Sequence, residues 1–149
     1  LSRTTELFHT GVKAVCATFI AICMIAAFYS LGPRLETEWW PVVGKLKINS
    51  METPRPGWTL IRVNFEKLRD CEYVGLSWYV GQRPDNFERI AVSVQRDPED
   101  TGSPNRPLGL QRAGPWLVAV DTKEFTRGTF AQLQHRCHPF WISTTDFYP

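Results

Sequence analysis

Little in this chain could do chemistry, and most of what could gathers around two cysteines. Cys71 and Cys137 are the only cysteines outside a long apolar run near the N-terminus. As a pair of thiols they can close a disulfide over roughly 66 residues, which would remove several kcal/mol of unfolded-state entropy and requires an oxidising compartment. Beside the second cysteine, His135-Arg136-Cys137-His138 is the one cluster of metal-ligating side chains. Alternation places His135 and Cys137 on one strand face and His138 on the other, ahead of Pro139, so one ion could be reached by two of them only with help from distant ligands. A disulfide also takes Cys137 out of any ligand set. His135 and His138 therefore stand as weak metal candidates beside the plainer reading of satisfied or exposed imidazoles, and no metal or other cofactor is expected. Pairs such as Asp70 and Glu72 read as solvated carboxylates at a strand edge rather than an acid-base couple. No G-x-S-x-G, H-E-x-x-H, P-loop or dinucleotide fingerprint occurs, so the expectation is a protein without catalytic activity.

The element that must place these residues is the apolar run itself. Ala14 to Leu31 is uncharged, bounded by Lys13 and by Gly32-Pro33-Arg34. As a helix, eighteen such residues cover roughly 27 Å, close to the hydrocarbon thickness of a thin bilayer. The run reads as an uncleaved signal anchor that crosses a membrane once. Gly32-Pro33 is expected to end it. This divides the chain into a cytoplasmic tail (1–13), a transmembrane helix (14–31), an interfacial linker (32–43) and a periplasmic domain (44–149). Ala14, Ala17, Thr18 and Ala21 form a small-residue face on which another helix could pack. Cys16 and Cys23 serve as small apolar residues on one side of it. Trp39 and Trp40 suit the lipid-water boundary, with the alternative that they belong to the core of the first strand.

The remainder alternates with period two between turn signals. Strands are expected at Gly44–Asn49, Trp58–Phe65 (with Ile61, Val63 and Phe65 on one face), Cys71–Val80 with a bulge near Gly75, and Ile90–Val94. Further strands are expected at Gly114–Val120, Thr129–His135 and Phe140–Phe147. Gly81–Glu88 reads as a turn, Asp121–Arg127 as a helical turn or corner, and Arg96–Ala113 as the longest loop, either mobile or partner-contacting. About seven short strands without helical periodicity predict a mainly β fold, an immunoglobulin-like β-sandwich, with a small barrel as the alternative. Six Trp, nine Phe and four Tyr supply its core. Seventeen basic and fifteen acidic residues are interspersed, and the net charge of +2 argues against nucleic acid binding.

The blocks Leu68–Gly81 (LRDCEYVGLSWYVG) and His135–Tyr148 (HRCHPFWISTTDFY), with Gly114-Pro115-Trp116 between them, resemble short single-pass membrane proteins of proteobacteria and their phages. That resemblance implies a bacterial inner-membrane setting and carries no activity. An anchor followed by a sandwich also resembles the copper chaperones of cytochrome oxidase assembly, but their closely spaced cysteine pair has no counterpart here. The expected function is a non-enzymatic accessory subunit, with an N-terminus in the cytoplasm and a domain in the periplasm. Its partners would be membrane lipid and an integral membrane protein complex, photosynthetic or respiratory, that it stabilises or assembles. The alternatives are a phage envelope, virion or lysis protein, and a periplasmic metal or ligand carrier.

Overall fold

The computed structural model describes residues 2–81 and 90–149, and the side chains of these except 2–5 and 7. The turn expected over Gly81–Glu88 lies, beyond Gly81, outside the described residues.

One helix, α1 (Ser2–Trp39), opens the chain. It contains the apolar run and is long and apolar enough to cross a membrane, with none of its apolar window buried against the rest of the chain. It does not stop at Gly32-Pro33 as expected. Pro33 removes one backbone hydrogen bond of the ladder, yet the helix continues six residues past it to Trp39. The reason is tertiary: the last three turns lie against the β-domain, as described below.

Two antiparallel sheets of four strands follow. β1 (Lys47–Arg55), β2 (Trp58–Lys67), β5 (Val94–Arg96) and β6 (Gly109–Val118) form one, in the order β1-β2-β6-β5. β3 (Glu72–Val80), β4 (Ile90–Val92), β7 (Thr129–Arg136) and β8 (Ser143–Phe147) form the other, in the order β4-β3-β7-β8. A short helix α2 (Thr122–Gly128), capped by the Asp121 side chain accepting from the Lys123 N–H, connects β6 to β7. The β1–β2 hairpin turns on Pro56-Gly57, where Gly57 takes φ +76°. Alternation along β2 buries Thr59, Ile61, Val63, Phe65 and Lys67 in succession. Trp78 of β3 and Ala131 and Leu133 of β7 meet them from the other sheet in one shared core, with the Trp78 ring tilted against that of Phe125 of α2 at 5.0 Å.

The strands depart from expectation in five places. β1 runs over Lys47–Arg55 rather than Gly44–Asn49, because its pairing with β2 continues to the hairpin turn. Among the described residues eight are present rather than seven, because the alternating stretch Ile90–Val94 is cut at Ser93: Val92 pairs with Trp78 in one sheet and Val94 with Val118 in the other. A period-two pattern cannot show that a strand changes partners midway. β6 begins at Gly109 rather than Gly114, shortening the expected loop, and its first half is exposed enough to carry no apolar alternation. A bulge at Gly114, φ +97°, lets the strand resume pairing at Trp116; a Cβ there would sit 2.6 Å from the Ile61 carbonyl oxygen. β8 starts at Ser143, so Trp141 lies outside the ladder. The bulge between Tyr73 and Gly75 is present as expected.

Candidate functional site

Two polar clusters border the disulfide. Cys71 and Cys137 are bonded, with Cα atoms 4.6 Å apart. They extend the β3–β7 ladder by one register position beyond the pair Glu72 and Arg136, whose side chains approach to 3.6 Å. The bond therefore ties two neighbouring strands of one sheet at their end. It also fixes the first residue of the segment 137–142, which leads from β7 to β8.

That segment receives the end of α1. Glu36, on the last turns of the helix, is buried, and its carboxylate accepts from four side chains. Arg69 Nη1 donates to Oε1 at 2.7 Å, while Trp141 Nε1 at 2.5 Å, Ser143 Oγ at 2.8 Å and His138 Nε2 at 3.2 Å gather on Oε2. Arg69 also donates to the Trp40 carbonyl at 2.8 Å. One turn earlier Gly32 serves as a seat: a Cβ there would fall 2.6 Å from the Trp141 ring, so the missing side chain is what lets the indole lie on the helix. Phe28 meets Trp141 edge-on at 5.1 Å and Phe140 at 5.7 Å. The Thr37 hydroxyl lies between the Pro33 and Thr144 carbonyls, at 2.9 and 3.0 Å. Val42 and Val43, just past the helix, enter the core. The linker expected to be an interfacial spacer is thus a helical joint locked to the β-domain.

The second cluster lies between the sheets. A cavity of about 140 Å³ is walled by apolar side chains that include Leu46, Phe65, Leu76, Ala113 and Leu133. Lys67, Tyr73 and His135 bring polar groups to it. Lys67 is 3% exposed; its Nζ donates to the Cys71 carbonyl at 3.0 Å and lies 4.0 Å from the exposed Asp70 carboxylate. His135 is also 3% exposed, and its Nδ1 has no hydrogen-bond partner among the described residues. Burial, and then the Lys67 charge, push the His135 imidazole down to about 4, so it is neutral at pH 7. Burial raises the Tyr73 phenol, opposed by the Arg96 charge.

The segment 97–108 closes one side of this cavity. Asp100 organises it: its carboxylate accepts from Arg96 Nε at 3.0 Å, Trp116 Nε1 at 3.1 Å, Arg106 Nη2 at 3.2 Å and the Gly102 N–H at 3.3 Å. Burial alone would raise the Asp100 carboxyl, but the hydrogen bonds from Arg96 and Trp116, with the Arg96 charge, hold it below the usual range. Arg96 also donates to the Gly102 carbonyl, and Asn105 Oδ1 accepts from the Tyr73 N–H of the opposite sheet at 2.7 Å. A segment expected to be mobile or partner-contacting is pinned by one buried carboxylate and spans both sheets.

The remaining residues singled out in the sequence fall as follows. His135 and His138 do not converge, since one faces the cavity and the other Glu36. Among the described residues no group of three or more His, Cys, Asp or Glu could hold a metal ion. Trp39 and Trp40 are 68% and 64% exposed and take no part in the core. Ala14, Ala17, Thr18 and Ala21 are all exposed along α1, with the Thr18 hydroxyl returned to the Ala14 carbonyl at 2.9 Å. Cys16 and Cys23 are free thiols on its surface. Glu36, Arg69, Lys67 and Asp100 were not anticipated. Lys67 had a signal, because it continues the phase of Ile61, Val63 and Phe65; Glu36 had none, its partners lying 33 to 107 positions away.

Comparison of the chain with protein-family models, curated proteins and solved structures finds no match.

Proposed function

We propose that this protein is a single-pass, non-enzymatic accessory subunit whose helix packs in a bacterial inner membrane. Its β-domain docks in the periplasm on a larger membrane protein complex, photosynthetic or respiratory, which it stabilises or helps to assemble. The observation that carries this reading is the joint at Glu36. A domain that only needs to be near a membrane can hang on a flexible linker, whereas here helix and domain are held at a fixed angle by five side chains and a paired aromatic contact. Fixed geometry matters when two weak contacts, one in lipid and one outside it, must be made together, because it keeps the effective concentration of the second contact high. The exposed helix, with Ala14, Ala17, Thr18 and Ala21 on one face, supplies the first contact, and Trp39 and Trp40 set the depth. The strand order β1-β2-β6-β5 over β4-β3-β7-β8 supports an immunoglobulin-like sandwich as the second contact. The disulfide supports a periplasmic domain and hence a cytoplasmic N-terminus.

The test is mild-detergent extraction from the native membrane, size separation, and mass spectrometry of what travels with the chain. Co-migration with one large complex at fixed stoichiometry is expected. Migration as a free monomer or homodimer would remove the proposal.

A further inference from the structure

Between the sheets, the fold leaves open space beside a buried lysine and a buried histidine. A volume of about 140 Å³ is close to that of the engineered apolar cavity of about 150 Å³ that accepts benzene, so it holds about one aromatic ring. A plain packing gap of this size would be lined by apolar atoms alone and would stay dry. This one also receives a buried ammonium whose nearest partners are a neutral backbone carbonyl and an exposed carboxylate 4.0 Å away. It receives a buried imidazole whose Nδ1 has no partner among the described residues, and the half-buried Tyr73 side chain. Burying such groups without partners is costly unless something supplies the missing interactions. The charge balance says what that something is. Lys67, Arg96 and Arg106 line the cavity against the single carboxylate of Asp100, which is already shared by both guanidinium groups. The surplus is positive, and Lys67 is the one of the three cations that Asp100 does not pair with.

We propose that this cavity binds a small molecule with an apolar body the size of one aromatic ring and a carboxylate head, the head received by Lys67, His135 and Tyr73. The apolar body lies against Phe65, Leu76 and Leu133, and the segment pinned by Asp100 forms the wall beside the head. This site is independent of the accessory-subunit reading, because none of its residues belongs to the joint with α1.

Benzoate is the probe, and benzyl alcohol, of similar shape without the charge, is its control. The chain has three histidines, so the full-length protein in detergent, labelled with carbon-13 at histidine Cε1, gives three signals to follow by NMR. Benzoate is expected to move the His135 signal saturably, with a dissociation constant of about 1 mM as befits so small a ligand, while His9 stays fixed. Benzyl alcohol should bind about tenfold more weakly, the equivalent of losing one charged contact. Lys67→Met should erase the difference between the two ligands, and Ala113→Leu, which fills the cavity, should abolish both responses. Equal binding of the two ligands to the wild-type protein would overturn the carboxylate assignment, whether or not the variants fold. An unmoved His135 signal at saturating benzoate would overturn the site itself.

Discussion

The joint at Glu36 and the cavity at His135 are two buried polar clusters that border the same disulfide, and they are satisfied to opposite degrees. At the joint, every donor aimed at Glu36 finds it, and the carboxylate is matched by the Arg69 charge. In the cavity an imidazole nitrogen goes unpartnered and an ammonium leans on a carbonyl. Satisfied networks fix geometry, and unsatisfied ones cost stability that is retained for another purpose. The contrast assigns the first cluster to holding the helix and the second to receiving a ligand.

Four changes would break or sharpen the contrast. The disulfide borders both clusters, through the Cys71 carbonyl on Lys67 and through the segment that follows Cys137. Replacing both cysteines by serine should therefore cost most, about 4 kcal/mol for a loop of this length, and denaturant unfolding should show it. A loss confined to the joint, with ligand binding unchanged, would show that the cavity does not depend on the crosslink.

Glu36→Ala strands Arg69 and three further donors, and should cost about 3 kcal/mol, the range found when one partner of a buried ion pair is removed. It should also speed tryptic cleavage after Arg34, since the helix end loses its hold, while leaving benzoate binding intact. An unchanged cleavage rate would mean that Gly32, Phe28 and Trp141 hold the joint without it.

His135 predicts the pH response. Its folded pKa is lowered to about 4 from an ordinary value near 6.5, so the unfolded chain binds more protons between those limits. Its contribution is fully present above about pH 6.5 and lost as pH falls toward 4, amounting to about 2 kcal/mol between pH 7 and pH 4.5. His135→Gln should flatten that part of the stability profile. Thermal unfolding as a function of pH, with and without the substitution, measures the difference.

The smallest effect is expected at Gly32→Ala. A methyl there must displace the Trp141 ring, but alanine also favours the helix by about 1 kcal/mol, so the net loss should be about 1 kcal/mol. Its sharper signature is a changed Trp141 fluorescence, and an unchanged spectrum would show that the ring does not rest on Gly32.

Legibility in the sequence followed the range of the interactions. The face of Ile61, Val63 and Phe65, the bulge near Gly75 and the helical turn after Asp121 are local patterns, and each lies where alternation or turn chemistry places it; the apolar run is helical, but the helix extends past it at both ends. The break at Ser93 was hidden, because alternation records which side of a strand is buried and not which sheet it joins. Gly32-Pro33 misled for a related reason. Taken locally the pair ends a helix, yet here the absent side chain is filled by a ring from 109 residues further along the chain. His135 and His138 looked like one cluster because three positions separate them, but Pro139 and the end of β7 send them to different places.

The sequence by itself determined that this chain has one helix able to span a bilayer, a largely β remainder, and two cysteines fit to be joined, because hydropathy, alternation and cysteine number need no partner to be read. Only the tertiary structure decided that the helix is fixed to the domain and that a buried lysine and histidine share a cavity. Both depend on side chains far apart in the chain, and a carboxylate such as Glu36 looks like any exposed acid until the fold brings its four donors to it.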